Sequence, residues 1–566
     1  MNLNPVAGDV YTYNGPSNQP TWEAPQSSGG SGSSVVTAVS SFPVGGSDDT
    51  VQLQNALTWL QGAANRAIAL QAGQIYTISS ALTLAGASFF RIMGNGATIK
   101  ASASMPVQAG YQLLYVTTST DGSVSDLTFD ANRSVRTPNA SVTAQSVYIY
   151  TGCQRLKFTN CSSNNAVVDG WYIGSATPTV LASLPTDIVM SFCGAQNAFR
   201  NNVSVINSVR FRDYYGVYTG ANGALPMNGI DVEPNSSSDQ GNQDARFYGT
   251  RCDGNSGYGI QIVNPNSNAR LFDVSMSSNL LGAVGGSWGF LQIEGITVEG
   301  YIGGVSNGII NCAGGTGETH IRRVLGRNNN TASDALPLIY VNGTNTGPVT
   351  ITDVQAYSST CAVLNALAAV QVNGIAVTGA NSEYVFILQG SAAGSSIRNV
   401  SAVGVVAIGY ISCADVTVEG VTNLNPTGTE IQLYYANGAT DGSLRNFEVT
   451  QQTAIPAGQI GVRFNSAPAF VDNIVGKCDG TAWTAAQLCV FQGGTVGSFI
   501  GNVSTNPRVL QTYTVATLPA SPAAGSTAYA SNGRKVGEGA GSGTGVPVYF
   551  SNGSWRVSST DVAVTS

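Results

Sequence analysis

Three phrases decide how this chain is read: Gly229-Ile-Asp-Val-Glu-Pro234, Gly259-Ile-Gln-Ile-Val-Asn264 and Gly289-Phe-Leu-Gln-Ile-Glu294. Each opens on glycine and then alternates apolar with polar residues, and the glycine recurs every 30 positions. Alternation with period two is the signature of a strand with one buried face. Recurrence at that length without exact repetition is the signature of a solenoid, one supersecondary unit stacked on the next. In this register Ile230 lies over Ile260 in a core, and Asp231 lies beside Gln261 on the outer face. For the third phrase, a shift of one residue at Phe290 brings Gln292 and Glu294 onto the same outer stripe.

The same grammar fills residues 90–505. Val124-Ser-Asp-Leu-Thr-Phe129, Leu156-Lys-Phe-Thr-Asn160, Val203-Ser-Val-Ile-Asn207, Leu271-Phe-Asp-Val-Ser275 and Val416-Thr-Val-Glu-Gly420 are short apolar alternations separated by Asn, Gly, Ser and Asp. Strands this short with turns between them exclude a helical protein. The scarcity of charge agrees, because Lys and Glu collect on exposed helix faces and charged residues are only 10% of this chain. One helix is expected, from Ser47 or Asp48 as N-cap to Leu60, with Val51, Ala56, Leu57 and Leu60 on its apolar face. An apolar content of 43% with a net charge of −7 excludes disorder.

Composition also narrows the partners. With four lysines and no Lys/Arg cluster, nothing can neutralise a run of phosphates, so nucleic acid is not an expected partner. No basic region followed by an apolar run opens the chain, and no apolar stretch is long enough to span a bilayer, so neither a secretory leader nor membrane insertion is expected. The nine cysteines are scattered, without CxxC or Cys/His spacing, and read as buried reduced thiols. No metal and no cofactor is expected, since no acidic cluster has calcium spacing and no glycine run forms a phosphate loop.

Several motifs resemble known proteins. The Ser47-Asp-Asp-Thr50 helix start, the strand Ile68-Ala-Leu-Gln-Ala-Gly-Gln-Ile-Tyr-Thr-Ile78 and Gly94-Asn-Gly-Ala-Thr-Ile99 resemble the opening turn of the pectate-lyase-like right-handed parallel β-helix superfamily, in which a short helix covers the first coil. Tyr513-Thr-Val-Ala-Thr-Leu-Pro519 with Gly541-Ser-Gly-Thr-Gly-Val-Pro-Val-Tyr549 and Trp555-Arg-Val557 resembles a C-terminal module of phage tail fibres and spikes. Gly8-Asp-Val-Tyr-Thr-Tyr-Asn-Gly15 with Trp22 is similar to their small N-terminal adaptor pieces. The expected division is therefore a virion-attachment segment at 1–34, ending in the Gly/Ser linker of 27–34; an all-β, right-handed parallel β-helix at 35–508; and a small β module at 509–566.

Asn197-Ala-Phe-Arg-Asn-Asn-Val-Ser-Val-Ile-Asn207 followed by Met227-Asn-Gly-Ile-Asp-Val-Glu-Pro-Asn235 resembles β-helix phage tailspikes that depolymerise polysaccharide. The resemblance implies a homotrimer attached to the phage tail through its N-terminus. It implies synthesis in the host cytoplasm and action on bacterial surface polysaccharide. It also implies a catalytic role for Asp231 and Glu233. The residue types agree. On a strand, positions i and i+2 share a face about 6.6 Å apart. Glycoside hydrolysis needs two carboxyl groups roughly 5–9.5 Å apart, and neighbouring carboxylates raise one another's pKa until one can act as an acid.

Candidate substrate-binding residues are Arg200, Asp213, Tyr214, Tyr215, Arg246, Arg251, Gln261 and Glu294, with the insertions Thr219–Met227 and Asn235–Asp244 as groove walls. Asp169 and Asp253 each precede glycine and read as turn residues. The lone His320, with no Ser/Asp signature beside it, reads as structural, and Asn328-Asn-Asn330 reads as part of a hydrogen-bonded ladder. The readings in competition with a glycosidase are a polysaccharide lyase on the same scaffold and a non-catalytic glycan-binding adhesin.

Overall fold

The computed structural model describes the chain outside residues 1–9, 13–20, 24–34, 302–306, 330–335, 380–383, 429–430, 453–454, 456, 467–468, 479–482, 484, 492–502, 505–511, 521, 523–524, 561 and 566. The expected linker at 27–34 lies outside the described residues. Ahead of it, Val10–Thr12 and Thr21–Glu23 pair antiparallel, with Tyr11 opposite Trp22.

From Val35 to Ser504 the chain winds as a parallel β-helix with three strands per coil. Arg212–Tyr214, Val217–Thr219 and Ile230–Val232 make one coil. Ala245–Tyr248, Arg251–Asp253 and Tyr258–Ile262 make the next. They stack with Arg212 on Arg246, Val217 on Arg251 and Ile230 on Ile260. Repeated along the axis, these give a first, second and third sheet. The third runs to sixteen strands, from Thr83–Ala85 to Cys489–Phe491. Many strands pass the corner between the first two sheets unbroken, so Asn268–Ser277 pairs with both Ala245–Tyr248 and Arg251–Asp253.

That corner explains the abundance of Asn, Asp and Gly. It is turned by a single residue in the left-handed region, at Asp126, Asn160, Asp273, Asp353, Asn399, Asn446 and Asn473 among others, all with φ between 51° and 57°. Most L-residues pay about 1–2 kcal/mol for this conformation, whereas Asn and Asp tolerate it. Their side chains also link coil to coil, Asn160 Nδ2 donating to Asp126 Oδ1 at 2.8 Å and Asn473 Nδ2 to Asn446 Oδ1 at 2.9 Å. In two adjacent coils the corner is instead bulky. Phe192 and Tyr215, with φ 54° and 57°, are exposed and stack at 5.3 Å. Gly249 turns the next coil, where a Cβ would lie 2.5 Å from the Tyr215 ring.

Inside the coil, Phe129, Phe158 and Trp171 pack edge to face, and the rest of the core is mainly Val, Ile, Leu and Ala. Buried asparagines take up backbone groups where the second sheet turns toward the third. Asn202 donates to Asn255 Oδ1 at 2.9 Å, and Asn255 donates to Asn279 Oδ1 at 2.8 Å. Asn329 belongs to the same system, donating to the Val298 carbonyl, so the ladder expected at 328–330 exists at its central residue. Eight of the nine cysteines are buried, and Cys478 is partly buried. Burial raises the Cys153 thiol to about 11 and the Cys312 thiol to about 12.

The helix begins later than expected, at Thr50, and ends at Gln61. Ser47 is not its cap. Asp49 precedes the first turn but spends its carboxylate on the Thr77 backbone N–H at 2.7 Å, tying the helix to a strand. Asp48 accepts from the Thr50 N–H at 3.0 Å. Leu53, Ala56, Leu57 and Leu60 are buried, while Val51 is exposed. At the far end, Thr512–Tyr513, Thr527–Ala530, Val546–Ser551 and Ser554–Val557 form a four-stranded sheet around Leu518, Ala528 and Val548.

The corner geometry makes a test in which glycine and alanine have unequal effects. Asn399, at φ 57°, donates to Asn373 Oδ1 at 2.7 Å. Asn399→Ala should destabilise by about 1–2 kcal/mol, while Asn399→Gly should stay within about 0.5 kcal/mol of the parent. Thermal unfolding followed by circular dichroism reads the difference, and equal losses for both variants would remove the corner argument.

Candidate functional site

On the outer face of the third sheet, the middle residues of successive strands fall in register. Tyr148, Tyr172, Ser204, Asp231 and Gln261 follow one another coil by coil. Their strand neighbours Trp171, Ile173, Ile230 and Val232 fill the core. Asp231 thus points away from the coil interior, as the alternation requires, yet it is only 4% exposed. Side chains from adjacent coils cover it.

Those side chains come from a second row, two positions before each strand. Asp169, Asn201 and Asn228 stand one above another, and each accepts the backbone N–H of the next coil. Asn201 N–H donates to Asp169 Oδ1 at 3.1 Å, Asn228 N–H to Asn201 Oδ1 at 2.9 Å, and Tyr258 N–H to Asn228 Oδ1 at 2.8 Å. This leaves the amide nitrogens free to point along the sheet. Asn201 Nδ2 donates to Asp231 Oδ2 at 2.9 Å and Asn228 Nδ2 to Gln261 Oε1 at 2.6 Å. Arg200 grips Asp169 through Nε at 2.8 Å and a terminal nitrogen at 2.5 Å, and Ser204 donates to the same carboxylate at 3.1 Å.

Three carboxyl groups therefore gather around one guanidinium. Burial pushes Asp231 well above the usual carboxylate range, and the charges of Glu233 and Asp169 push it further; Arg200 and the Asn201 hydrogen bond oppose them. Glu233, half-buried at the strand's end, is also raised by burial, against the pull of Arg200. A carboxyl group raised by burial beside a second one of different exposure is the arrangement that separates proton donor from base.

Aromatic rings and loops bound this floor. Tyr148 meets Tyr172 edge-on at 4.7 Å and Tyr150 at 4.6 Å, with Tyr115 at 5.5 Å, and Tyr172 reaches Asn235 at 3.4 Å. Loops leaving the third sheet rise on one side. The Gln240 N–H donates to the Pro178 carbonyl at 3.0 Å, and Asn266 Nδ2 donates to the Asp239 carbonyl at 2.9 Å, which knits segments 174–187, 233–244 and 263–267 together. Loops entering the sheet stand opposite. There the buried Arg136 donates to the carbonyls of Met105, Ala131 and Pro106 at 2.9–3.0 Å and pins two of them.

Of the sequence candidates, Arg200, Asp231, Glu233 and Gln261 come together. The others stand on different faces. Asp213 turns into the coil, where Tyr218 donates to it at 2.7 Å and Thr250 at 2.5 Å, so it cannot meet a ligand. Tyr214 and Arg246 lie on the outer face of the first sheet, Tyr215 at its corner, and Arg251 on the second sheet beside Asp253. The third glycine phrase does not stack on the first two. Its place over Gly259-Ile-Gln-Ile is taken by Gly282–Gly286, with Gln261 beside Gly285. Gln292 and Glu294 instead join the first sheet, opposite Arg270 and Phe272, and Glu294 pairs with Arg322 and Arg323. The coil shortens there, so a fixed spacing of 30 overshoots.

Asn201, Ser204, Asn228 and Tyr172 were not singled out in the sequence, and Asp169 was given only a turn role. Asp169-Gly reads locally as a turn, and only the register with Asn201 and Asn228 shows its place in the row. His320, expected to be structural, is bonded to Thr350 Oγ1 at 2.7 Å and lies near Glu318.

No family model and no curated protein matches the sequence. Among solved structures the chain is similar to tailspike protein 3 of bacteriophage CBA120, at 11% identity over 93% of this chain and 70% of that one, with a TM-score of 0.30. It is similar to PfbA, a surface adhesin of Streptococcus pneumoniae, at 10% identity over 93% and 99% of the two chains, with a TM-score of 0.35. It is also similar to the catalytic unit of a GH87 alpha-1,3-glucanase from Streptomyces thermodiastaticus, at 12% identity over 83% and 70%, with a TM-score of 0.28.

The interior carboxyl makes a pH prediction. Burial raises Asp213 to about 6. Its full stabilising contribution is present below the unfolded value near 4, where both states are protonated, and is lost as pH rises through the folded value, because the unfolded chain ionises first. A shift of about two units corresponds to about 3 kcal/mol. Melting measured from about pH 4 to about pH 8 should therefore show a shallower loss for Asp213→Asn than for the parent. Parallel curves would show that Asp213 does not titrate in this window.

Proposed function

We propose that this chain is a tailspike that depolymerises a bacterial surface polysaccharide by glycosidic hydrolysis, with Asp231 as general acid and Glu233 as general base. The observation that carries this reading is the pair itself: two neighbouring carboxyl groups of unequal burial, both raised, on the outer side of the third sheet between the loops that enter and leave it. Asp231, more buried and facing two other carboxyl groups, is the carboxyl group raised furthest and donates its proton to the departing glycosidic oxygen. Glu233, more exposed and under the charge of Arg200, takes the proton of the attacking water. Asp169 holds Arg200 in place, and Asn201 fixes the orientation of the acid. Farther along the same sheet, the partly exposed Tyr115 and Tyr150 provide apolar ring surface for sugars.

The same observation favours hydrolysis over β-elimination. A lyase must neutralise the carboxylate of a uronate. Here the guanidinium of Arg200 is already held by two bonds to Asp169, and the other charged groups beside it are acids. In this reading the first 34 residues attach the spike to the virion, and three chains assemble in parallel. Light scattering under native conditions should give a trimer mass, and a monomer mass would sink that part.

The catalytic test uses a panel of bacterial capsules, O-antigens and exopolysaccharides, with product size, reducing ends and ultraviolet-absorbing unsaturated ends all measured. With the glycan that is cut, Asp231→Asn and Glu233→Gln should each lower kcat about 10²- to 10⁴-fold while glycan binding persists. Normal release by both variants would move the reaction elsewhere. Unsaturated ends would indicate the lyase, and binding without any cleavage the adhesin.

A further inference from the structure

The first sheet carries a second constellation on the coils that form the groove. Arg212, Arg246 and Arg270 are stacked in register on its outer face, and so are Tyr214, Tyr248 and Phe272, two residues further along each strand. Positions i and i+2 share a face. The result is two parallel rows about 6.6 Å apart, with rungs about 4.8 Å apart. The aromatic rings lie face to face, at 4.9 Å and 9° for Tyr214–Tyr248 and 4.8 Å and 8° for Tyr248–Phe272. They therefore present their edges outward as an apolar ridge bearing two phenol hydroxyls.

The arginine row is under-compensated. All three guanidiniums converge on the single carboxylate of Asp244, Arg212 at 2.5 Å, Arg246 at 2.8 Å and Arg270 also in contact. Neighbouring Arg210 is matched by Asp187 at 2.6 Å. Glu294, next to Phe272, is taken by Arg322 and Arg323. Two positive charges are left over, on side chains still 29–35% exposed at Arg246 and Arg270. Asp244 holds the row at fixed spacing, so the donors are positioned before anything binds.

We infer that this face is an accessory site for an anionic saccharide, one bearing carboxylate or phosphate. The free donors of Arg246 and Arg270 would hold the anion, and the Tyr214–Tyr248–Phe272 ridge would receive the apolar edge of the sugar ring. Guanidinium pairs with planar oxyanions through two parallel bonds, and a fixed row repeats that contact along a polymer. The acidic groove repels such groups, so the two faces divide the work: the groove takes the sugars that are cut, and the arginine row takes charged units of the same surface. The ligand class rests on the charge and spacing of this row and does not depend on the catalytic assignment.

The test is titration of the full chain with oligogalacturonate, with poly(glycerol phosphate) and with a neutral maltooligosaccharide. At least one anionic probe should bind, more weakly as salt rises, and the neutral one should not. Arg246→Gln/Arg270→Gln should weaken the anionic binding about tenfold or more, whereas Arg246→Lys/Arg270→Lys, which keeps the charge but not the two-bond fork, should fall between that variant and the parent. Glu233→Gln should leave it unchanged, which separates this site from the groove. Unchanged circular dichroism and melting show that the variants are folded; Asp244 keeps Arg212 as partner in both. Equal binding by the glutamine variant, or equal binding of the neutral probe, would overturn the proposal. So would a fall in the mass of the assembly in that variant, which would make the row a contact between copies of this chain.

Discussion

Everything in this molecule depends on turning the chain sharply without disturbing which side chains face inward. A single left-handed residue does this at the corner between the first two sheets. The strand before the corner and the strand after it both keep their alternation, so one core runs the length of the coil stack. The cost is local and steric, and Asn, Asp and Gly bear it best. The Asn- and Gly-rich composition is thus a direct record of how often the chain turns. In the coils of the groove, Phe192 and Tyr215 take that position despite their bulk.

How much of this is legible in the sequence follows from the same geometry. Period-two alternation gives the strands, and the pairing of Ile230 with Ile260 and of Asp231 with Gln261 could be read before any coordinates. What fails is the assumption of constant coil length. The third sheet steps 30 residues from Ile230 to Ile260 but 24 from Ile260 to Val284, so Gly289 falls in a different sheet from Gly259. Loops between sheets change length without altering the cross-section, and nothing local announces the change. Asp169 was missed for a related reason. Beside a glycine it looks like a turn, and its meaning comes from Asn201 and Asn228, one and two coils away.

The groove shows how a solenoid makes a buried acid on its outside. A lone outward carboxylate on a strand would be solvated and ordinary. Asp231 is dry because adjacent coils place Asn201 and Asn228 against it, and because Glu233 and the Asp169–Arg200 pair crowd the same rungs. The asparagines have a double role. Their oxygens complete the backbone hydrogen bonding of the next coil, and their amide nitrogens orient the site. A substitution there would disturb the scaffold and the setting of Asp231 together.

The buried thiols have a consequence for the covalent chemistry of the chain. Oxidation of cysteine starts from the thiolate. With Cys153 and Cys413 raised to about 11, and Cys312 and Cys489 to about 12, burial keeps these sulfurs in the unreactive protonated form. At neutral pH only about one in 10⁴ of such groups, or fewer, is ionised, and that fraction lies inside the coil. The winding that builds the core therefore also passivates it. Burial and protonation thus both work against oxidation of these thiols as the chain passes from a reducing to an oxidising medium.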